Sequence, residues 1–150
     1  MAIEYRLTLA GDIPLEEVAA LAAPEATEKP APSGYPRLLS ADLDRQYGYS
    51  VSITAGHGGY YDAEDDEGSL WVWEPDAYVD IDFRMSGNDP SHQGRINMLA
   101  AVARVLTGRT EDAALVQGGN WLMLTRVAGR LRRHNTADWY DPAYDSLFPV

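Results

Sequence analysis

The densest chemistry in the chain is Asp62-Ala63-Glu64-Asp65-Asp66-Glu67-Gly68, a turn-like stretch rich in carboxylates. Oxygen ligands at alternate positions could hold a hard cation, and a calcium loop also needs glycine sixth and glutamate twelfth. Counted from Asp62, with Glu64 and Asp66 as the next ligands, those places fall on Glu67 and Trp73. A calcium loop of that type is excluded. A looser magnesium or calcium site, a solvated hairpin turn and an acidic recognition loop remain open, and the solvated turn is the simplest.

Other residues are weaker candidates. His57 lies in a glycine-rich turn, His92 at the start of a helical segment and His134 among arginines. None has a second histidine at metal-ligand spacing. A Ser–His–Asp set can assemble in space from distant residues, but no Gly-x-Ser-x-Gly elbow marks a nucleophile. Each histidine reads first as a surface or turn residue. Gly56, Gly58 and Gly59 precede Tyr60-Tyr61 rather than a helix, so they form a turn and not a nucleotide fingerprint. Trp71 and Trp73 lie two apart, on one face of a strand, beside Tyr60, Tyr61 and Tyr78. Core packing is the first reading of these rings. If exposed, they suit a protein interface or stacking on sugar. Arg126, Arg130, Arg132 and Arg133 could touch phosphate, but pairing with the chain's own acids is simpler.

Composition narrows the classes. The 150 residues carry a formal net charge of −11, with 11 Arg and one Lys against 23 acids. There is no cysteine, which removes disulfide scaffolds, thiolate metal sites and thiol nucleophiles. Phosphate binding needs a basic surface, so a non-specific nucleic-acid role is disfavoured. No apolar run reaches the length of a membrane span. The first residues show no secretory signal, so a cytoplasmic location is expected. The charge is uneven: residues 1–89 sum to −13, residues 90–136 to +5 and the tail to −3. Nine acids and no base lie between Asp62 and Asp82. Such a stretch could serve solubility alone, or meet and steer a basic partner.

These groups must be held by a scaffold. Ile3, Tyr5, Leu7 and Leu9 alternate with polar residues, as in a half-buried strand. Pro14 opens a short helix over 14–23, with Glu16 and Glu17 at its positive end. Residues 24–36 read as a proline-rich loop, and Leu38, Leu39 and Leu43 as an apolar anchor of about one helical turn. Strand patterns at 47–55, 60–61, 70–73 and 77–85, joined by short turns, predict an antiparallel meander. Asn88-Asp89-Pro90 starts a second helix that ends at Gly108. Further strands follow at 113–116, 121–126 and, more weakly, 127–132, before an irregular aromatic tail.

The resulting expectation is a single α+β domain over 1–150: one antiparallel sheet with two helices packed on one face, in two layers. The open face would carry Glu4, Arg6, Ser50, Ser52, Tyr78, Asp80, Asp82 and Arg84. That face could bind a protein or simply be solvated.

Several phrases resemble a known bacterial family over nearly the whole chain. They are the opening Met1-Ala2-Ile3-Glu4-Tyr5-Arg6-Leu7-Thr8-Leu9-Ala10, then Leu39-Ser40-Ala41-Asp42-Leu43, Tyr47-Gly48-Tyr49, and Trp71-Val72-Trp73-Glu74-Pro75. Tyr78-Val79, Phe83-Arg84-Met85, Asn97-Met98-Leu99 and Glu111-Asp112-Ala113-Ala114-Leu115-Val116 complete the set. Together they resemble the immunity proteins of Sit type, named for swarming-inhibition toxins of contact-dependent bacterial competition. The resemblance implies protection of the producing cell by binding and neutralising a cognate protein toxin. It assigns no binding residues. The preferred expectation is a non-enzymatic protein, without cofactor or metal, that acts by stoichiometric occlusion.

The charge reading alone places partner binding at Asp62, Glu64, Asp65, Asp66, Glu67, Asp80 and Asp82, with Trp71 or Trp73 as anchor and a basic toxin surface opposite. Nucleic acid and membrane are not expected partners. The alternative class is a small enzyme or ligand-binding domain with a pocket between sheet and C-terminal tail. An assembly protein would instead show a large self-complementary apolar patch.

Overall fold

Alternation makes the central strand. In the computed structural model, which describes residues 2–86, 93–118 and 120–148, Tyr5, Leu7 and Leu9 of β1 (Ala2–Ala10) point into the core. Strand β7 (Ala77–Ser86) pairs with β1 along its whole length, and β8 (Ala113–Gln117) pairs with its other edge. Val79, Ile81, Phe83 and Met85 of β7 share the inner face. So do Tyr49, Val51 and Ile53 of β4 (Tyr49–His57), which lies beyond β7. Among the described residues the sheet holds ten strands in the order β2 (Thr27–Lys29), β3 (Leu38–Leu43), β4, β7, β1, β8, β9 (Trp121–Val127), β5 (Tyr61–Glu64) and β6 (Leu70–Trp73), with β10 (Arg130–Arg133) also paired to β9. Its pairings are antiparallel except for one parallel bridge, Glu64 to Trp121, between β5 and β9.

The inner face is covered by helices. Helix α1 (Leu15–Ala22) buries Leu15, Val18, Ala19 and Ala22, spaced along one side of the helix. It packs on α3 (Gln93–Gly108), whose Met98, Leu99, Val102, Val105 and Leu106 are buried. The contact is close: a Cβ on Gly108 would stand 2.7 Å from Leu21 Cδ2. Trp139, Tyr144 and Phe148 from the tail join the same core cluster.

Several expectations need correction. Residues 24–36 are not all loop, because Thr27–Lys29 form β2 against β3 (Leu38–Leu43). The segment from Leu38 is a strand, since Leu39 and Leu43 fall on its inner face and pair with Ile53 and Tyr49. The helical turn follows it as α2 (Asp44–Tyr47), which takes Tyr47 out of the next strand. Residues 47–85 are not a meander. Gly58 and Gly59 donate N–H groups to the carbonyls of Asp76 and Pro75 at 2.6 and 2.9 Å, so β4 zips directly onto β7. The intervening β5 (Tyr61–Glu64) and β6 (Leu70–Trp73) are expelled as a separate hairpin that reaches the far end of the sheet.

The described elements therefore include four helices rather than two, with α4 (Thr136–Trp139) in the tail, and sheet dominates the fold. The tail is ordered around its rings rather than irregular. The expected helix start at Asn88-Asp89-Pro90, and His92, lie outside the described residues.

The outer face is polar, as the register requires. Glu4, Arg84 and Ser50 form one cross-strand row, Arg6, Asp82 and Ser52 the next, and Thr8, Asp80 and Thr54 a third. The first two rows border an open concavity of about 540 Å³ that also involves Ser40 and Asp42 of β3. The third row is different: Thr8 and Asp80 are buried. The expelled hairpin covers that part of the face.

Candidate protein interface

Two attachments hold the hairpin over the outer face. At its base, the Tyr61 hydroxyl lies 2.9 Å from both carboxylate oxygens of Asp80, and Thr8 Oγ1 donates to the same carboxylate at 2.6 Å. Asp80 is 7% exposed, and burial raises its pKa against the opposing effect of Thr8, Arg6 and Tyr61. Burial beside this carboxylate also raises the Tyr61 pKa. Arg6 Nε lies 3.9 Å from Asp80 and donates to Asp82 at 2.7 Å. Tyr78 stands edge-on to Tyr61, with ring centroids 5.7 Å apart, and lies across Gly56, where any Cβ would collide with its ring.

At the hairpin tip, the acidic turn is latched to His134. The imidazole is 2% exposed. Its Nδ1 lies 2.7 Å from Asp65 Oδ1 and its Nε2 lies 2.7 Å from Thr125 Oγ1. An ionised carboxylate only accepts, so Nδ1 donates its proton to Asp65, and Nε2 shares the second hydrogen bond with the Thr125 hydroxyl. Asp65 also accepts from the Asp66 N–H at 2.7 Å. Burial is the largest single influence on Asp65 and raises its pKa, but the Asp66 N–H and His134 together outweigh it and the net direction is down.

Asp66 accepts from the Asn135 N–H, and Asn135 Nδ2 donates to the carbonyls of Glu64 and Leu122, both at 2.9 Å. Thr125, His134 and Asp65 stand in the order hydroxyl, imidazole, carboxylate. Thr125 is 6% exposed, however, so the trio lies beneath the loop and serves as a latch. Asp65, Asp66 and His134 bring ligand atoms within 4.8 Å of one another, but their hydrogen bonds are spent on holding the turn.

With both ends fixed, the two faces of the hairpin are set by register. Asp62 pairs with Val72 and Glu64 with Leu70, and all four side chains point outward and are exposed. Leu70 is 71% exposed and Val72 46%. Trp71 turns inward onto Ala63, Val116 and Leu122. Trp73 also lies on the inner side, its ring 6.0 Å from Tyr61 and 5.9 Å from Trp71.

The expected site residues therefore separate. Asp62, Glu64 and Glu67 are exposed on the hairpin. Asp65 and Asp66 bond to its support, Asp80 is buried beneath it, and Asp82 is committed to Arg6. Trp71 and Trp73 are half-buried struts. Sequence reasoning missed Leu70 and Val72, whose alternation with the two tryptophans was the available signal. His134, expected at the surface or in a turn, is buried instead, because its partners Asp65 and Thr125 reach it from other strands and loops. Trp139, Tyr144 and Phe148 of the tail belong to the main core cluster.

The family model described as SitI3-like matches residues 3–143. The chain belongs to the SitI3-like family. This membership is consistent with the Sit-type immunity family that its sequence phrases resemble. No curated protein and no solved structure matches this SitI3-like chain. The family match runs from β1 into the tail, and so includes the hairpin and both of its attachments. No helix among the described residues is long and apolar enough to cross a membrane.

Proposed function

We propose that this chain is an immunity protein. It binds a cognate protein toxin in the cytoplasm and neutralises it by one-to-one occlusion, with no catalytic step. Family membership supports the class. The observation that carries the site is the outward face of the β5–β6 hairpin, where Asp62, Glu64 and Glu67 surround Leu70 and Val72. An apolar centre with a charged rim is the usual anatomy of a protein interface. Because the hairpin is latched at both ends, little conformational freedom remains to be lost on binding. The carboxylates favour a basic toxin surface and would steer its approach.

The test is co-expression with proteins encoded beside its gene. The reading predicts that one neighbour is toxic alone, is silenced by this chain and co-elutes with it at equal stoichiometry. Absence of any neutralised neighbour defeats the reading.

A further inference from the structure

Strand β6 ends the sheet, and the hydrogen bonds around it show which backbone groups are free. Asp65 donates its N–H to the Ser69 carbonyl at 2.7 Å, so that pair is hydrogen-bonded across the hairpin. Glu64 instead sends its N–H away from β6, to the Asn120 carbonyl at 2.6 Å. Hydrogen-bonded and non-hydrogen-bonded pairs alternate in an antiparallel ladder. Trp71 and Trp73 therefore bond to β5, and Leu70 and Val72 direct their N–H and C=O groups to the open edge. Those two residues also hold the exposed apolar side chains.

Open apolar edges invite pairing, and proteins commonly blunt them with lysine, proline or a bulge. Leu70-Trp71-Val72-Trp73 contains none of these. The charge next to it in the chain is wholly negative: Asp62, Glu64, Glu67, Glu74 and Asp76 are exposed, and the segment from Asp62 to Asp82 has no base.

We infer that β6 accepts an extended basic segment of the partner as an added strand, its backbone bonding Leu70 and Val72 and its lysine or arginine side chains meeting the surrounding carboxylates. This rests on the immunity reading and specifies its mode of recognition. Main-chain bonds would supply affinity in such a complex, and alternate side chains its specificity. Like charge along this edge disfavours a second copy of the same chain as occupant.

The probe is a blocked, fluorescent peptide of alternating lysine and valine, titrated into the full chain by anisotropy. Amide exchange at Leu70 and Val72 is followed by NMR. Saturable binding with new protection at those two amides is expected. Val72→Pro removes an edge-facing N–H that none of the described residues accepts, and should weaken the peptide at least about tenfold. Val72→Ala, which keeps that N–H, should cost less.

Absence of binding overturns the inference. So does binding without amide protection, or equal affinity in Val72→Pro, because either leaves only charge attraction. A dimer in sedimentation that Val72→Pro dissolves would make a second copy the occupant and also overturn it. If Val72→Pro still silences the toxin as well as the parent does, strand addition fails while immunity stands. If the unaltered chain silences no toxin, the immunity reading fails whatever the peptide does.

Discussion

The Tyr61 hydroxyl rests 2.9 Å from each carboxylate oxygen of Asp80, joining an expelled hairpin to the middle of the sheet it left. Asp80 thereby becomes a buried acceptor shared by Tyr61 and Thr8. Removing the acceptor leaves two donors without a partner, which costs more than removing one donor. Asp80→Ala should lower stability by about 2–3 kcal/mol and Tyr61→Phe by about 1 kcal/mol. The double variant should fall short of the sum, because both changes break one network. Urea unfolding of the four proteins measures this coupling, and strict additivity would refute the link.

His134 locks the acidic turn. Its replacement by alanine deletes a buried ring and two hydrogen bonds, with an expected loss of about 3 kcal/mol. The local consequence is more specific: amides of residues 64–68 should exchange faster in His134→Ala, whereas those of β7 should change only with global stability. Unchanged exchange in the turn would show that the latch does not hold it.

Asp65 and Asp80 give opposite pH signatures. The folded chain holds Asp65 below its usual range, so its contribution is complete above the unfolded value near about 3.9 and is lost as pH falls through the lowered pKa. Asp80 is raised by burial, so the cost of its ionised form applies above that raised pKa and is relieved as pH falls. Relative to the parent, Asp65→Asn should therefore flatten the acid side of the stability curve and Asp80→Asn should steepen it. Unfolding midpoints across the acid range would read both.

The β9–β10 turn is open to improvement. Val127 pairs with Arg130, leaving Ala128 and Gly129 as a two-residue loop with φ of 51° and 80°. Positive φ at both positions favours Asn-Gly over Ala-Gly. Ala128→Asn should add about 1 kcal/mol, because alanine resists the left-handed region. A rise in thermal midpoint checks it.

Charge reversal of Asp62, Glu64 and Glu67 together should leave stability within about 0.5 kcal/mol, since all three are exposed. Association with the toxin should slow by about tenfold or more, with a shallower dependence on salt. Unaltered association kinetics would remove these carboxylates from the interface.

Local pattern was legible where one face of an element decides its form. The alternation in residues 3–9 and 77–85, and the helical spacing from Leu15, correspond to β1, β7 and α1 within a residue or two. The polar outer rows were legible for the same reason, because a period of two fixes which side chains share a face. Partner choice was not. Short turns between residues 47 and 85 suggested neighbours in sequence, yet β4 chose β7 and left the hairpin out.

From the sequence by itself come the α+β class, the acidic segment 62–82, the absence of thiol chemistry and the family phrases. All follow from composition, local periodicity or word-like matches, which need no distant contact. The tertiary structure alone decided which acids are free. Asp62 and Glu64 face solvent beside Leu70 and Val72, while Asp65 meets His134 and Asp80 lies beneath Tyr61. Those fates depend on residues up to 69 positions apart in the chain. Burial and hydrogen bonding between distant strands separate a carboxylate that supports the fold from one that can greet a partner, and no local pattern contains that information.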